Sequence, residues 1–284
     1  MIAARAESVL RVAKGIMVLG RFAIGLMLLA ALPTQSGAQS ASLKSVEVQG
    51  TEFKVTLTDG RVLRSREIVG ARLTIAMGGQ MVRVRIDGVE RDPDAKNGEV
   101  WLHTFSAELA DGTWQNVCDP GPDGRRQGFP VAGRPRADGM LEPADPGVFE
   151  LACSSGALGK CVRFGYRPWA FKDGLELREV YNACIRMVRA DYCGNGTATT
   201  KDGQAIDIYD DLAIQKAEND PAMDFEAGWT EEGAACVRRV RVKENVTLDS
   251  LVATCPRLKD RVGPACTEDA ARQLGARLFN RSKP

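Results

Sequence analysis

Eight cysteines, all between Cys118 and Cys266, are the residues best placed to do covalent chemistry in this chain. Their spacing narrows which chemistry. No C-x-x-C pair occurs and the sequence holds a single histidine, His103, so neither a zinc site nor a thiol activated by an imidazole base is indicated. Disulfide bonding remains, and it needs an oxidising compartment. The candidates are Cys118, Cys153, Cys161, Cys184, Cys193, Cys236, Cys255 and Cys266. Spacing alone leaves their connectivity open, with one pair arguable. Cys118 and Cys153 end two expected strands joined by a loop, so antiparallel pairing of those strands would bring them together. Closing a loop of about 36 residues stabilises by roughly 4 kcal/mol on the chain-entropy account. Cys184 and Cys193 are not expected to bridge, because the helix between them spans roughly 10 Å.

Two further sets of residues invite a binding role. Arg163-Phe164-Gly165-Tyr166-Arg167-Pro168-Trp169 interleaves cations with aromatics. Such a run can present Arg163, Tyr166, Arg167 and Trp169 as a ligand surface, with guanidinium forks for carboxylate or phosphate. The favoured reading is a strand with Val162, Phe164 and Tyr166 inward and the arginines solvated, ended by Pro168. Asp191 beside a helix end could join that surface. It could also hold the Gly194-Asn195-Gly196 turn through backbone N–H groups, or ligate calcium with Asp207, Asp210 and Asp211. His103, between Trp101 and Phe105 on an alternating run, reads as a half-buried strand residue. No catalytic residue can be named. The G-x-S-x-G, S-x-x-K, HExxH and P-loop signatures are absent, and no cofactor is implied. A pair of carboxylates converging from distant positions is the one enzymatic arrangement that sequence patterns leave open.

These residues must be held by elements of two kinds. From Leu43 to about Leu109 short alternating segments are punctuated by Asp59-Gly60, Gly78-Gly79 and Asp87-Gly88, which predicts four or five antiparallel strands. Trp114 to Cys118 and Val148 to Cys153 read as two more. Between them, residues 119–147 hold six prolines and six glycines in 29 residues, a composition that predicts irregular structure. The second half is led by a helix expected over about 175–190. Leu177, Val180, Tyr181, Cys184 and Met187 form its apolar stripe, Arg178, Glu179, Arg186 and Arg189 point mostly outward, and Gly194 is its left-handed cap. Strands are expected over 205–209 and 236–242. Thr247 should cap a short helix stopped by Pro256, and Thr267 a longer one reaching about Phe279.

The amino terminus reads as an export signal over residues 1–38. Arg5, Arg11, Lys14 and Arg21 precede an eleven-residue apolar run, Phe22 to Leu32, and Ser36-Gly37-Ala38 supplies small residues before a cut at Gln39. The apolar run is shorter than the roughly 20 residues of a membrane-spanning helix. Cleavage removes four of the 38 basic residues and one of the 37 acidic ones, leaving a formal charge of −2. A near-neutral chain lacks the footprint of a nucleic-acid binder.

Several segments carry a family likeness. Phe149 to Cys153, Lys160 to Trp169, Ala183 to Gly194, Glu226 to Trp229 and Gly233 to Cys236 together resemble the exported bacterial proteins named for an ADYC motif, here Ala190-Asp191-Tyr192-Cys193. The resemblance covers most of residues 100–266. It implies an extracytoplasmic location and brings no established activity with it. Relatives often carry a histidine shortly before the helix cysteine, where this chain has Tyr181-Asn182.

The expectation is therefore an α+β protein in three parts. Residues 1–38 are a signal peptide; 39–147 form an antiparallel β-rich part with a Pro/Gly-rich loop; 148–284 form an ADYC-type, disulfide-stapled mixed module around the central amphipathic helix. Its location would be periplasmic or secreted. Its role would be non-catalytic binding of an unknown protein or an envelope or extracellular ligand. The alternative is a carboxylate-dependent hydrolase of envelope or extracellular polymers. No nucleic-acid partner is expected, and membrane contact would be confined to the signal segment.

Overall fold

The computed structural model describes residues 3–5, 41–77, 79–95 and 100–283. The expected signal core and cleavage site lie outside them. Strands β1 (Leu43–Gln49), β2 (Glu52–Leu57) and β3 (Val62–Arg64) make an antiparallel sheet in that order. A larger antiparallel sheet contains β4 (Arg72–Met77), β5 (Gln80–Arg91), β6 (Trp101–Glu108), β7 (Trp114–Asn116), β8 (Gly128–Ala132) and β9 (Val148–Cys153). Its order is β9-β8-β6-β5-β4, with β7 beside β6 and Ala3–Arg5 paired to the outer edge of β9.

Strand periodicity divides the side chains of this sheet between two cores. Leu73, Ile75, Val84, Ile86, Phe105, Phe149 and Leu151 pack against Phe53, Val55 and Leu57 of the smaller sheet, closing a β-sandwich. Leu102, Phe129, Val131 and Ala152 face the other way, toward the helices α1 (Ala157–Arg163) and α2 (Arg178–Arg189). Beyond them lies a third sheet of β10 (Ile206–Asp210), β11 (Asp224–Thr230), β12 (Gly233–Val237) and β13 (Leu278–Ser282), ordered β10-β13-β11-β12. Helices α3 (Leu248–Thr254) and α4 (Glu268–Gln273) flank it. The protein is thus a mixed α+β structure. Its largest sheet takes strands from both sides of residue 147. Among the described residues no helix is long and apolar enough to cross a membrane.

Several expectations need correction. Residues 119–147 are not wholly irregular, because β8 lies within them between β6 and β9. Backbone bonds from Ser154 N–H to the Gln127 carbonyl and from Gly133 N–H to the Val148 carbonyl set odd-numbered residues in hydrogen-bonding register with β9. Pro130 falls between them, where a missing N–H takes nothing from that ladder. The run after Lys160 is not a strand, since Cys161 to Arg163 complete α1. Helix α2 starts at Arg178, because Leu175–Glu176 pairs as a short strand with Phe171–Lys172. Its left-handed cap is Ala190, at φ 50°, and not Gly194. The last helix stops at Gln273, and Leu278–Ser282 is a strand. The strand expected over 236–242 ends at Val237.

All eight cysteines are bridged: Cys118 to Cys153, Cys161 to Cys184, Cys193 to Cys255, and Cys236 to Cys266. The first bridge joins strand ends as expected, although by another route. β7 pairs with β6 and β9 with β8, so the two strands are not ladder partners. Cys118→Ser and Cys153→Ser should each lower stability by about 4 kcal/mol, and the double variant by no more than either. Additive losses in urea melts would mean that the two sulfurs act separately.

His103 is fully buried, and not half-buried, in the sandwich core. Its ring stacks on Phe105 and meets Phe53 edge-on. Nδ1 lies 3.2 Å from the Trp101 carbonyl and Nε2 2.8 Å from Ser65 Oγ, which also accepts the Phe53 N–H. Burial pushes the imidazole pKa down to about 4, against weaker opposing bonds to the Trp101 and Gly128 backbone. Between about 6.5 and 4 the unfolded chain therefore binds a proton that the folded one refuses. Stability falls as pH drops through that window, by about 3 kcal/mol in all. NMR of this single imidazole should show it neutral down to about pH 4. Protonation near 6.5 in the folded protein would refute the buried placement.

Candidate functional site

The carboxyl-terminal end of α2 gathers the charged groups that the rest of this half is built around. A helix leaves its last carbonyls without partners. Here Ala190 turns left-handed, its N–H returns to Met187, and Asp191 N–H reaches the Arg186 carbonyl. A non-glycine residue in this conformation is strained by roughly 1 kcal/mol. The alanine methyl is fully buried in the helix-side core, which offsets that strain. The Met187 and Val188 carbonyls accept from Arg241, at 2.8 and 3.1 Å.

Asp191 is wholly buried against the negative end of the helix dipole. Four donors compensate it. Oδ1 accepts the N–H groups of Gly194 (3.0 Å) and Asn195 (3.2 Å); Oδ2 accepts Gly196 N–H (2.9 Å) and Arg186 Nη1 (2.5 Å). Of the roles open to Asp191 from sequence, holding this turn is the one these contacts display. Gly194 has φ +74°, and a Cβ on it would stand 1.7 Å from the Glu232 carbonyl oxygen, so both backbone and space demand glycine.

Arg186, placed outward by the helical pattern, has no exposed surface at all. Besides Asp191 it donates to Asp138 Oδ2 (2.6 Å), to the Asp138 carbonyl and, through Nε, to the Glu231 carbonyl (2.9 Å). Burial would raise the Asp138 carboxyl; the Arg186 hydrogen bond, the Met140 N–H and the Arg186 and Arg136 charges together hold it below its ordinary value. A second buried pair lies alongside. Glu226 takes Nε and Nη2 of Arg241, both at 3.0 Å, and also accepts Tyr192 Oη (2.9 Å) and Asn280 Nδ2 (2.9 Å). Burial first, and the Glu226 charge second, push the Tyr192 phenol far above its usual range. Asn280 in turn accepts the Trp229 indole N–H, and Trp229 stacks on Tyr192.

A groove of about 320 Å³ is fastened directly to this assembly, between α2, the β11–β12 turn and the approach to β13. Val180, Ala183, Trp229 and Leu278 form its floor, and Leu274, 37% exposed, its lip. Its rim carries Glu179, Glu231 and Glu232, with Arg277 across from them in charge. Arg186 and Asn182 hold Glu231 by its carbonyl and its carboxylate, and Glu232 rests on Gly194, so the turn positions the acidic wall. No serine, cysteine, histidine, lysine or tyrosine lines the groove.

The residues singled out from sequence are placed as follows. Arg163 meets Asp92 (2.6 Å), Asp94 (3.1 Å) and Asp123 (3.2 Å). Tyr166 is buried and donates to Asp210 (2.7 Å); burial and the Asp210 charge push its phenol well up. Arg167 is half-buried and engaged. Trp169, also half-buried, lies against Gly50. Asp191, Asp207, Asp210 and Asp211 do not converge. Asp207 binds Glu218 N–H, Asp210 three backbone N–H groups, and Asp211 Arg272. Among the described residues no acidic, histidine or cysteine cluster suits a metal ion. Sequence reasoning missed Arg186, Glu226, Arg241 and Glu231. The one available signal was an arginine five residues before an aspartate that enters a glycine-rich turn.

A family model described as the ADYC domain matches residues 65–243. The chain belongs to the ADYC-domain family. The match begins at Ser65, the partner of His103, and ends two residues beyond Arg241, so both buried arginines fall inside the domain. No curated protein and no solved structure matches the chain. The motif that names the family is the turn described above: an alanine cap, an aspartate cradle, a tyrosine on the second ion pair, and a bridged cysteine. Arg186→Met should lower stability by about 3–5 kcal/mol, because it leaves Asp191 a buried charge without its cation and takes from the partly exposed Asp138 one of its two arginine partners. Arg186→Lys should rescue little, having no fork. A loss below about 0.5 kcal/mol in urea denaturation would show that the turn does not depend on this ion pair.

Proposed function

We propose that this ADYC-domain protein is a non-catalytic binding module, exported by residues 1–38, whose groove beside the ADYC turn receives a ligand with an apolar body and a cationic group. Four disulfides suit an oxidising compartment, extracellular or periplasmic. The observation that carries the reading is the composition of the groove. Its floor is apolar, its rim holds three carboxylates to one guanidinium, no imidazole lines it, and its one hydroxyl, Thr230, is turned to the Gly233 carbonyl and not to a base.

The hydrolase alternative needs one carboxyl kept protonated by burial and a second left ionised. Glu179 and Glu232 are exposed and Glu231 is half-buried, so water solvates the rim and works against such a division. The ion pairs that are truly buried lie behind the groove and have their hydrogen-bonding capacity filled by protein.

Titration calorimetry with a short peptide alternating leucine and lysine tests the proposal. Binding should weaken about tenfold in the Glu231→Gln/Glu232→Gln double variant, the equivalent of about 1.4 kcal/mol. Equal affinity for a leucine–glutamate peptide would overturn the charge assignment. Turnover of a polysaccharide or peptide substrate that these substitutions abolish would overturn the non-catalytic reading.

A further inference from the structure

The outer edge of the β-sandwich carries a feature unrelated to the groove. β3 is the last strand of its sheet, and the 3-10 turn Ser65–Ile68 follows it. Ser65 and Ile68 are buried, which leaves Arg61, Val62, Arg64, Arg66, Glu67 and Val69 facing solvent. Val62 is 44% and Val69 49% exposed. The one acid in this stretch is Glu67, which accepts the Arg64 N–H and sets a single negative charge against the four arginines of residues 61–72.

Two arginines from different elements converge on one indole here. Arg66, from the turn, stands 4.6 Å from the centre of the Trp101 ring, and Arg91, the ladder partner of Trp101, stands 5.2 Å from it. Neither has a carboxylate partner among the described residues. Arg72, just beyond the turn, lies over Trp114 at 5.3 Å and has no acid partner among the described residues. Charged residues on an edge strand are often there to block sheet-to-sheet aggregation, which accounts for Arg64 on β3. It does not account for Arg66 and Arg91, which lie off that edge and are both held on the Trp101 ring. Nor does it account for Val62 and Val69, the exposed valines that bracket the turn in sequence. Guanidiniums, an indole and short apolar side chains on an outward-facing edge are the composition of an interfacial contact. Anionic headgroups would neutralise the arginines, the indole would sit at the polar–apolar boundary, and the valines would enter the outer acyl region.

We propose that this edge docks reversibly on an anionic lipid surface, through Arg66, Arg91 and Trp101 flanked by Val62 and Val69. The mature chain is near neutral overall, so the attraction is local: Asp59 pairs with Arg61 and Glu67 offsets one further charge, which leaves two arginines of residues 61–72 in excess, with Arg91 beside them on the Trp101 ring. This membrane contact is additional to the one expected of the signal segment, and it is independent of the groove.

Co-sedimentation of the fully bridged mature chain with vesicles provides the test. Binding to phosphatidylcholine vesicles containing phosphatidylglycerol should appear at low salt, vanish at high salt, and be absent with phosphatidylcholine alone. Arg66→Gln/Arg91→Gln should weaken it roughly 30-fold. Val62→Ser/Val69→Ser should weaken it as well, while Glu231→Gln/Glu232→Gln leaves it unchanged. All six positions are on the surface or half-exposed, and an unchanged thermal transition verifies folding. Absence of binding at low salt overturns the proposal. So does binding to dextran sulfate in place of vesicles with no effect of the valine substitutions, which would assign the edge to a soluble polyanion.

Discussion

Two guanidinium groups buried behind the end of α2 are the constraint on which this half of the molecule depends. Desolvating an arginine costs several kcal/mol unless its donors are filled and its charge is matched. Arg186 and Arg241 meet both conditions by drawing in the nearby Asp191 together with Asp138, Glu226 and the Glu231 carbonyl from other segments. Each partner belongs to a different segment, so satisfying the charges fixes how those segments sit on the helix. A purely apolar plug could fill the same volume but would tolerate several arrangements. Here the directional fork admits few, which ties the β11–β12 turn, and with it the groove wall, to the ADYC turn.

The disulfides act on a different part of the problem. Their spans are 35, 23, 62 and 30 residues. On the chain-entropy account each bridge contributes roughly 3–4 kcal/mol by restricting the unfolded chain. Together that is comparable with the net stability of an ordinary domain, about 5–15 kcal/mol. The bridges are therefore no accessory to an otherwise sufficient core. Cys193 to Cys255 fixes the residue directly after Tyr192, and Cys236 to Cys266 fixes β12 against the segment before α4. In a reducing compartment the ion pairs would have to hold the turn without them.

Much of this architecture is legible in the amino-acid order, where period and punctuation are local. The strand character of residues 43–109, the Thr247 cap and the Pro256 stop follow from signals within a few residues, although six strands form where four or five are expected and Asp87-Gly88 is a bulge inside β5 and not its end. The failures share one cause: a tertiary partner outweighs the local rule. Arg186 reads as solvated on a helical wheel, and its burial rests on Asp191 together with Asp138 and the Glu231 carbonyl, 48 and 45 residues away. Pro130 reads as a strand breaker until the register shows that its nitrogen faces away from β9. Ala190 reads as the last ordinary turn of a helix and becomes its left-handed cap because its methyl has a core to enter. The groove was invisible for the same reason, since Glu179, Glu231 and Arg277 become neighbours only when the third sheet closes on α2.

Charge is distributed in this protein so that the near-neutral total conceals two opposite regions. Acids outnumber bases around the groove rim, where Glu179, Glu231 and Glu232 face Arg277 alone. Along the sandwich edge the balance reverses, and Arg66, Arg72 and Arg91 are stacked on indoles in place of carboxylates. Neither excess is needed by the fold. The buried pairs neutralise themselves, and surface ion pairs contribute little to stability in any case. A folding requirement would have been met as well by mixing the two signs on each surface. Their separation is the pattern that the proposed cationic ligand at the groove and the proposed anionic surface at the edge would each require.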